Sequence, residues 1–425
     1  MTQPPGGQDL RPPAGTIVRH GSHLVLSRRA MAVLAALILA PWFLVALVLL
    51  SIVPPLSGRA RRPVAGTRAA AGPWGNVEWS RVTIAAPIEF VETWDSLAAQ
   101  PGWHFPNTTQ TELEAVLRKA GLAEAAVRRL LEAARQDAAI EGWVVTPPDD
   151  IVWDLAPAVR GAIYNRLALS SLNKAHRDGP LFGGASVEEW FAGAMLRPAT
   201  VDLVRRLAYR RGRFVCFSDF HLAARRLADD AERQRLLKVL ARQATLLVKL
   251  RVAEGQDVEP LVRYWGRGGR AKDVGPLLES LARAPGGAAI DVAHLLPPLP
   301  RRYVYTYPTP PMDEVSANRD CHWTCLNFFA DPPDDRYALL QAAQEALRHD
   351  YYPIRNDLAL GDLVLFLDER NGVIHSAVFI ADDILFTKSG SAPTNPWMFM
   401  RLEDMKDYYP AAKPLDIRFM RRKGL

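Results

Sequence analysis

An α+β fold is predicted for this chain from three observations. Residues 77–300 carry apolar positions mostly at helical spacing, the composition changes near residue 300, and beyond it one helix is followed by a run of short alternating strands. Ahead of these lies an uncharged apolar stretch that predicts an N-terminal transmembrane helix. The 425 residues, 49% of them apolar, suffice for two or three domains with real cores. A formal charge of +6 comes from arginines spread along the chain rather than from one basic block, which argues against a nucleic-acid partner.

Residues 1–29 are rich in Pro, Gly and Arg without a hydrophobic period and read as a disordered tail. The apolar run at 30–57 exceeds the about 20 residues that cross a hydrocarbon layer and the about 7–15 of a secretory signal, so an uncleaved signal-anchor is expected. Arg11, Arg19, Arg28 and Arg29 before it are matched by Arg59, Arg61, Arg62 and Arg68 after it, so charge does not orient it. The expectation is a single-pass membrane protein, with the C-terminal part outside the cytoplasm on functional grounds alone. Residues 58–76 form a Pro/Gly/Ala/Arg linker.

The region 77–300 begins with strand signals at Val82-Thr83-Ile84 and Ile88-Glu89-Phe90. It then reads as mostly α-helical. Thr109 and Glu112 form a capping box ahead of Leu113, Val116 and Leu117, and Val127, Leu130, Leu131 and Ala134 mark a second helix. Further helices are expected at about 155–170, 186–196 (capped by Ser186 and Glu189), 199–211 and 222–244. Leu246–Val252 reads as a strand or the end of the last helix. Two features invite chemistry. Phe214–His221 ends in Asp219-x-His221, which resembles the first metal-ligand motif of calcineurin-like metallophosphoesterases, but that family's further ligand segments are absent and two ligands cannot hold a bimetallic centre. Ser218 or Asp219 as a helix cap is the simpler reading. Tyr264–Arg270 combines glycines and arginines that could cradle an anion, yet lacks the strand and lysine of a P-loop; a flexible turn before a helix at Val274–Leu281 is expected.

Beyond the Pro-rich joint at Leu296–Pro300, Tyr303–Tyr307 alternates as a strand should. Asn318–Phe329 follows, with Asn318 and Asp320 before Cys321 and an apolar run after it. This puts Cys321 on the first turn of a buried helix, where the partial positive charge of the terminus favours the thiolate. A second helix at 336–349 and strands at 363–367, 373–380 and 384–387 come next, with Trp397–Leu402 and Ile417–Met420 as further strands. A thiolate nucleophile needs an imidazole and a polar group to orient it. His375 supplies the imidazole: in Val373–Ile380 it shares a face with Ala377 and Phe379, where a neighbouring helix could meet it. With three cysteines, Cys216, Cys321 and Cys325, at least one thiol stays unpaired. Cys325, one turn from Cys321, is a buried small residue, the nucleophile in place of Cys321, or a disulfide partner, and His322 is an exposed or capping residue rather than a second base. Cys321, His322 and Cys325 lack a fourth neighbour for structural zinc, so no metal or cofactor is expected.

The segment from about 303 to 409 resembles the NlpC-type, papain-like cysteine peptidases, through Asp320-Cys321-His322-Trp323, Gly361-Asp362-Leu363 and His375-Ser376-Ala377-Val378-Phe379-Ile380. It departs from them where Ser-Gly after the cysteine becomes His322-Trp323, and the glycine after the histidine becomes Ala377. The resemblance implies a papain-like domain at 301–425, a helix followed by an antiparallel meander, that hydrolyses an amide bond in a peptide or peptidoglycan-like substrate of the cell wall. It implies a third residue near Thr387 or Lys388, for which Thr387 is chosen, and a reaching tyrosine among Tyr303, Tyr305 and Tyr307. The competing expectation is an inactive scaffold in which His375 is only a core histidine.

Overall fold

The computed structural model describes residues 18–20, 23–25, 66–87, 102–227, 229–308 and 313–425. The chain divides into two compact units, Met1–Val64 and Ala65–Leu425. In the first, within the expected tail, Val18–His20 pairs antiparallel with His23–Val25. Among the described residues no helix is long and apolar enough to cross a membrane. The expected N-terminal transmembrane helix, and the single-pass membrane location derived from it, are corrected accordingly; the 30–57 stretch on which both rested lies outside the described residues, as does Ile88-Glu89-Phe90.

The second unit is α+β with antiparallel sheets. Its middle region carries more strand than its helical periodicity suggested. Gln243–Val252, with Leu246, Val248, Leu250 and Val252 buried and Lys249 and Arg251 exposed, is a strand. It pairs along its length with Asn76–Ile84, and the two form a four-stranded sheet with Ala288–Asp291 and Thr67–Arg68. Two three-stranded sheets are centred on Gly142–Val145 and Phe214–Cys216. The expected helix at 222–244 is thus two shorter ones, Phe220–Ala224 and Asp230–Leu240, and the 199–211 helix stops at Leu207 because Tyr209–Arg211 joins a sheet. The Thr109 capping box forms on Gln110–Lys119. Tyr303–Tyr307 is not a strand: Pro298–Tyr303 is helical and Tyr305 has a φ of 66°.

The C-terminal sheet has six strands, in the order Tyr351–Ile354, Asp416–Arg422, Leu363–Leu367, Val373–Ala381, Ile384–Lys388, Trp397–Arg401. Its central strands are buried on both faces, which is why they read as nearly continuous apolar runs. One face, through Val364, Phe366, Ala377, Phe379, Leu385 and Met398, packs on a core built from residues of the 103–241 segment. The other, through Leu363, Leu365, Val378, Ile380 and Phe386, packs on Trp323, Cys325 and Leu326 and on the four-stranded sheet and its helices. Polar bonds stitch these layers: the Thr245 hydroxyl donates to Phe399 O at 2.9 Å and Tyr264 Oη to Ile380 O at 2.7 Å.

Gly361-Asp362 proves structural. Gly361 has a φ of 92° and a Cβ there would lie 2.2 Å from the Phe329 ring, while the Asp362 carboxylate accepts from Arg421 Nε (2.9 Å) and Nη2 (2.7 Å) and from the Ala359 N–H (2.8 Å). The motif fixes the entry of the sheet rather than any chemistry.

Candidate active site

The helix that Cys321 starts is short, Cys321–Leu326, with Asp320 as its N-cap. Asp320 Oδ1 accepts from the His322 N–H (2.8 Å) and the Trp323 N–H (3.0 Å), so the N–H of Cys321, the first helical residue, is the donor the cap leaves for an incoming oxygen. Thr324 Oγ1 donates back to Asp320 O at 2.7 Å and accepts from Trp397 Nε1 at 2.9 Å. The cysteine is thereby locked to the sheet with its side chain only 4% exposed.

His375 is fully buried, and both ring nitrogens are engaged. Thr387 Oγ1 is 2.8 Å from Nε2 and Tyr409 Oη 2.9 Å from Nδ1. Burial, then the nearby Cys321, pushes the Tyr409 phenol well above its ordinary range, so it keeps its proton. The Thr387 hydroxyl also donates to Ser376 O at 3.4 Å. Thr387 therefore stands where the resemblance wanted an orienting group. Lys388 serves the neighbouring loop instead. It is fully buried, and its Nζ donates to Gly390 O at 2.6 Å and Ala392 O at 3.3 Å, which holds the 389–395 loop. Burial brings its pKa down to about 8, with Cys321 and Asp320 pulling the other way.

His375 pairs with Phe366 and so belongs to the face packed on the 103–241 core, while Trp323, Cys325 and Leu326 of the short helix pack on the opposite face; Cys321, at the helix start, still feels the His375 ring. The residue aimed at that helix is Ser376, paired with Leu365. Its hydroxyl is 3.0 Å from His322 Nδ1. His322, half-buried rather than exposed, thus stands beside the sulfur. Asp320, Cys321 and His322 each offer a ligand atom, all within 4.8 Å of one another.

Electrostatics follow from this crowding. Burial opposes ionisation of the Cys321 thiol, but the charges of His375 and then His322, and hydrogen bonding from both rings, hold it well below its ordinary range. Burial works against His322 as an imidazolium, yet Cys321 and Asp320 raise it to about 9. Cys325 differs: burial, then the neighbouring Cys321, pushes it well up, in keeping with a packed thiol.

Asp320, Cys321 and His322 open onto a cleft of about 490 Å³. Its far wall comes from the middle region, Arg177–Leu181 with Leu240 and Gln243, and its rim from Ser389–Asn395 and Tyr408–Pro410. No local signal in the sequence marked this wall or Tyr409. His322 had one, since Asp320-x-His322 repeats the Asp-x-His spacing of 219–221. The three tyrosines have partners elsewhere: Tyr303 packs tilted against Trp397, Tyr305 Oη donates to Leu246 O and Tyr307 Oη to Ile84 O.

Asp219-x-His221 and the 264–270 turn have structural partners. Asp219 makes no side-chain cap; it is buried against Arg160 (Nε to Oδ2, 3.0 Å) and accepts from Tyr164 Oη at 2.6 Å. In the 264–270 turn, Arg270 donates to Leu295 O (2.9 Å) and Arg267 to Leu360 O (3.0 Å), so these guanidiniums are engaged by carbonyls. Comparison of the chain with protein-family models, curated proteins and solved structures finds no match.

Proposed function

We propose that this protein is a cysteine hydrolase that cleaves an amide bond, Cys321 being the nucleophile. The observation that carries the reading is a thiol at the floor of a cleft, beside two imidazoles that favour its ionised form. The thiolate adds to the substrate carbonyl, whose oxygen turns to the Cys321 N–H, and an imidazole returns the proton to the leaving nitrogen. His375, oriented by Thr387, is the base that the resemblance assigns. The same resemblance, to NlpC-type papain-like peptidases, names the substrate class: a peptide of the cell-wall kind.

Hydrolysis of cell-wall peptide fragments by the full chain, compared with Cys321→Ala, tests this. Release of new amino and carboxyl termini by the wild type and none by the variant is expected; equal release by both would sink it. A second reading, a binding scaffold without turnover, draws on His375, whose two nitrogens are already occupied by hydroxyls. It requires Cys321 to titrate like an ordinary cysteine, at about 8.5.

A further inference from the structure

The Cys321 sulfur has two imidazoles to choose between, and the two are held differently. His375 stands beside it with Nδ1 on Tyr409 and Nε2 on Thr387. To take a proton from the thiol it must release one of these hydroxyls. His322 has only Nδ1 occupied, by the hydroxyl of Ser376, the one residue of this part of the strand that faces the nucleophile helix. That bond holds the ring with a nitrogen within 4.8 Å of the sulfur and leaves Nε2 as the open one, in the manner of a base held by its second nitrogen. The backbone does the rest: Asp320 caps the His322 N–H, so the residues bearing sulfur and ring sit on one rigid turn.

We infer that His322 is a catalytic residue, the imidazole that takes the proton from Cys321, while His375 stays in its Tyr409–Thr387 clamp as a second ring that steadies the thiolate. The inference rests on the hydrolase reading above and assigns the proton within it. The S–H proton moves to His322 Nε2, leaving a thiolate and an imidazolium. The thiolate forms a C–S bond to the carbonyl carbon; as the C–N bond breaks, the imidazolium proton goes to the leaving nitrogen. Water then adds to the thioester, its proton passing to Nε2 and on to sulfur as the C–S bond breaks and the carboxylic acid departs.

Among the described residues, the other titratable and charged groups facing this pair are Asp320 and Cys325 on the same helix, Lys388 at the end of the Ile384–Lys388 strand, Tyr408 and Tyr409 on the rim, and Arg177 and Asp178 across the cleft. Asp320 adds to the imidazolium's stability, and Lys388 is tied to loop carbonyls. Neither offers a neutral acceptor to the thiol.

The test is the pH profile of iodoacetamide alkylation at Cys321 in the full chain, read by fragment mass spectrometry so that Cys325 is counted apart. The series is wild type, His322→Gln, His375→Gln and Ser376→Ala, each checked for folding by circular dichroism. Expected is a wild-type inflection well below that of free cysteine, moved upward by about a unit or more in His322→Gln, with alkylation at neutral pH slowed about tenfold. Ser376→Ala, which keeps the ring but frees it, should give a smaller shift in the same direction. If His375→Gln moves the inflection and His322→Gln leaves it in place, the inference is overturned and the hydrolase reading stands. A wild-type inflection at the ordinary cysteine value overturns both. Zinc that co-purifies with the wild type and shields Cys321 until a chelator is added would make Asp320, Cys321 and His322 a metal site and would also overturn the proton role.

Discussion

Asp219-Phe220-His221 and Asp320-Cys321-His322 share the same spacing, and in both the aspartate stands at the N-cap position of a short helix. Their surroundings differ in every respect that matters. Asp219 turns away from its helix into a buried ion pair with Arg160 and a bond from Tyr164, and His221 is buried with both ring nitrogens unpartnered, so that burial lowers it to about 4. Asp320 caps its helix, and His322 faces a thiol and a cleft, where Cys321 and Asp320 outweigh burial and lift it to about 9. Burial and the Arg160 pair therefore make the first triplet part of the core. The second keeps an oppositely charged partner at the mouth of a cleft.

The contrast can be broken at either end. The largest effect is expected for Cys321→Ala: hydrolysis should fall by about 10⁴-fold or more, as when a nucleophile is removed, while the denaturant midpoint stays put or rises because a crowded buried thiolate is gone. A large stability loss with activity retained would reverse the roles of the two triplets. Arg160→Met should do the opposite. It strands the Asp219 carboxylate, whose pKa burial already pushes to about 6 despite the Arg160 charge, and should cost about 3–5 kcal/mol in urea unfolding; adding Asp219→Asn should restore part of it.

Acid should find the first region before the second. His176, lowered by burial and then by Arg211 to about 3, and His221, at about 4, are depressed below the about 6.5 of a free imidazole. As pH falls below that value the unfolded chain takes up protons that the folded chain refuses, so the contribution of these rings is whole above pH of about 6.5 and is lost as pH drops toward 4 and then 3. Urea midpoints from pH 7 downward should fall in this window (about 6.5 to 3). His176→Phe combined with His221→Phe should flatten that part of the curve; an unchanged slope would show that carboxylates carry it. The smallest effect is expected for Thr387→Ala. Removing one hydrogen bond to His375 Nε2 should slow hydrolysis about tenfold, the equivalent of roughly 1.4 kcal/mol, with little change in stability.

Much of the C-terminal half was legible locally. The strands at 363–367, 373–381, 384–388 and 397–401 declare themselves by apolar runs between turns, and Cys321 by the capping aspartate before it. Thr387 was reached through the order of a motif and does meet His375. The middle region was less legible because its strands are short and find partners far away: Gln243–Val252 pairs with Asn76–Ile84, and no local pattern encodes that register.

By itself, then, the sequence determined which segments form the C-terminal helix and meander, that Cys321 starts a helix, and that alternation sets His375 and Ser376 on opposite faces, because these follow from spacing and capping. Only the tertiary structure decided which face receives the nucleophile helix, and hence that Ser376 and His322 meet there while His375 is clamped by Tyr409 from 34 residues on. It also decided that Arg177–Leu181 walls the cleft. Those outcomes depend on how separate layers bury their apolar faces against one another, a choice made by the whole core and not by any one stretch of chain.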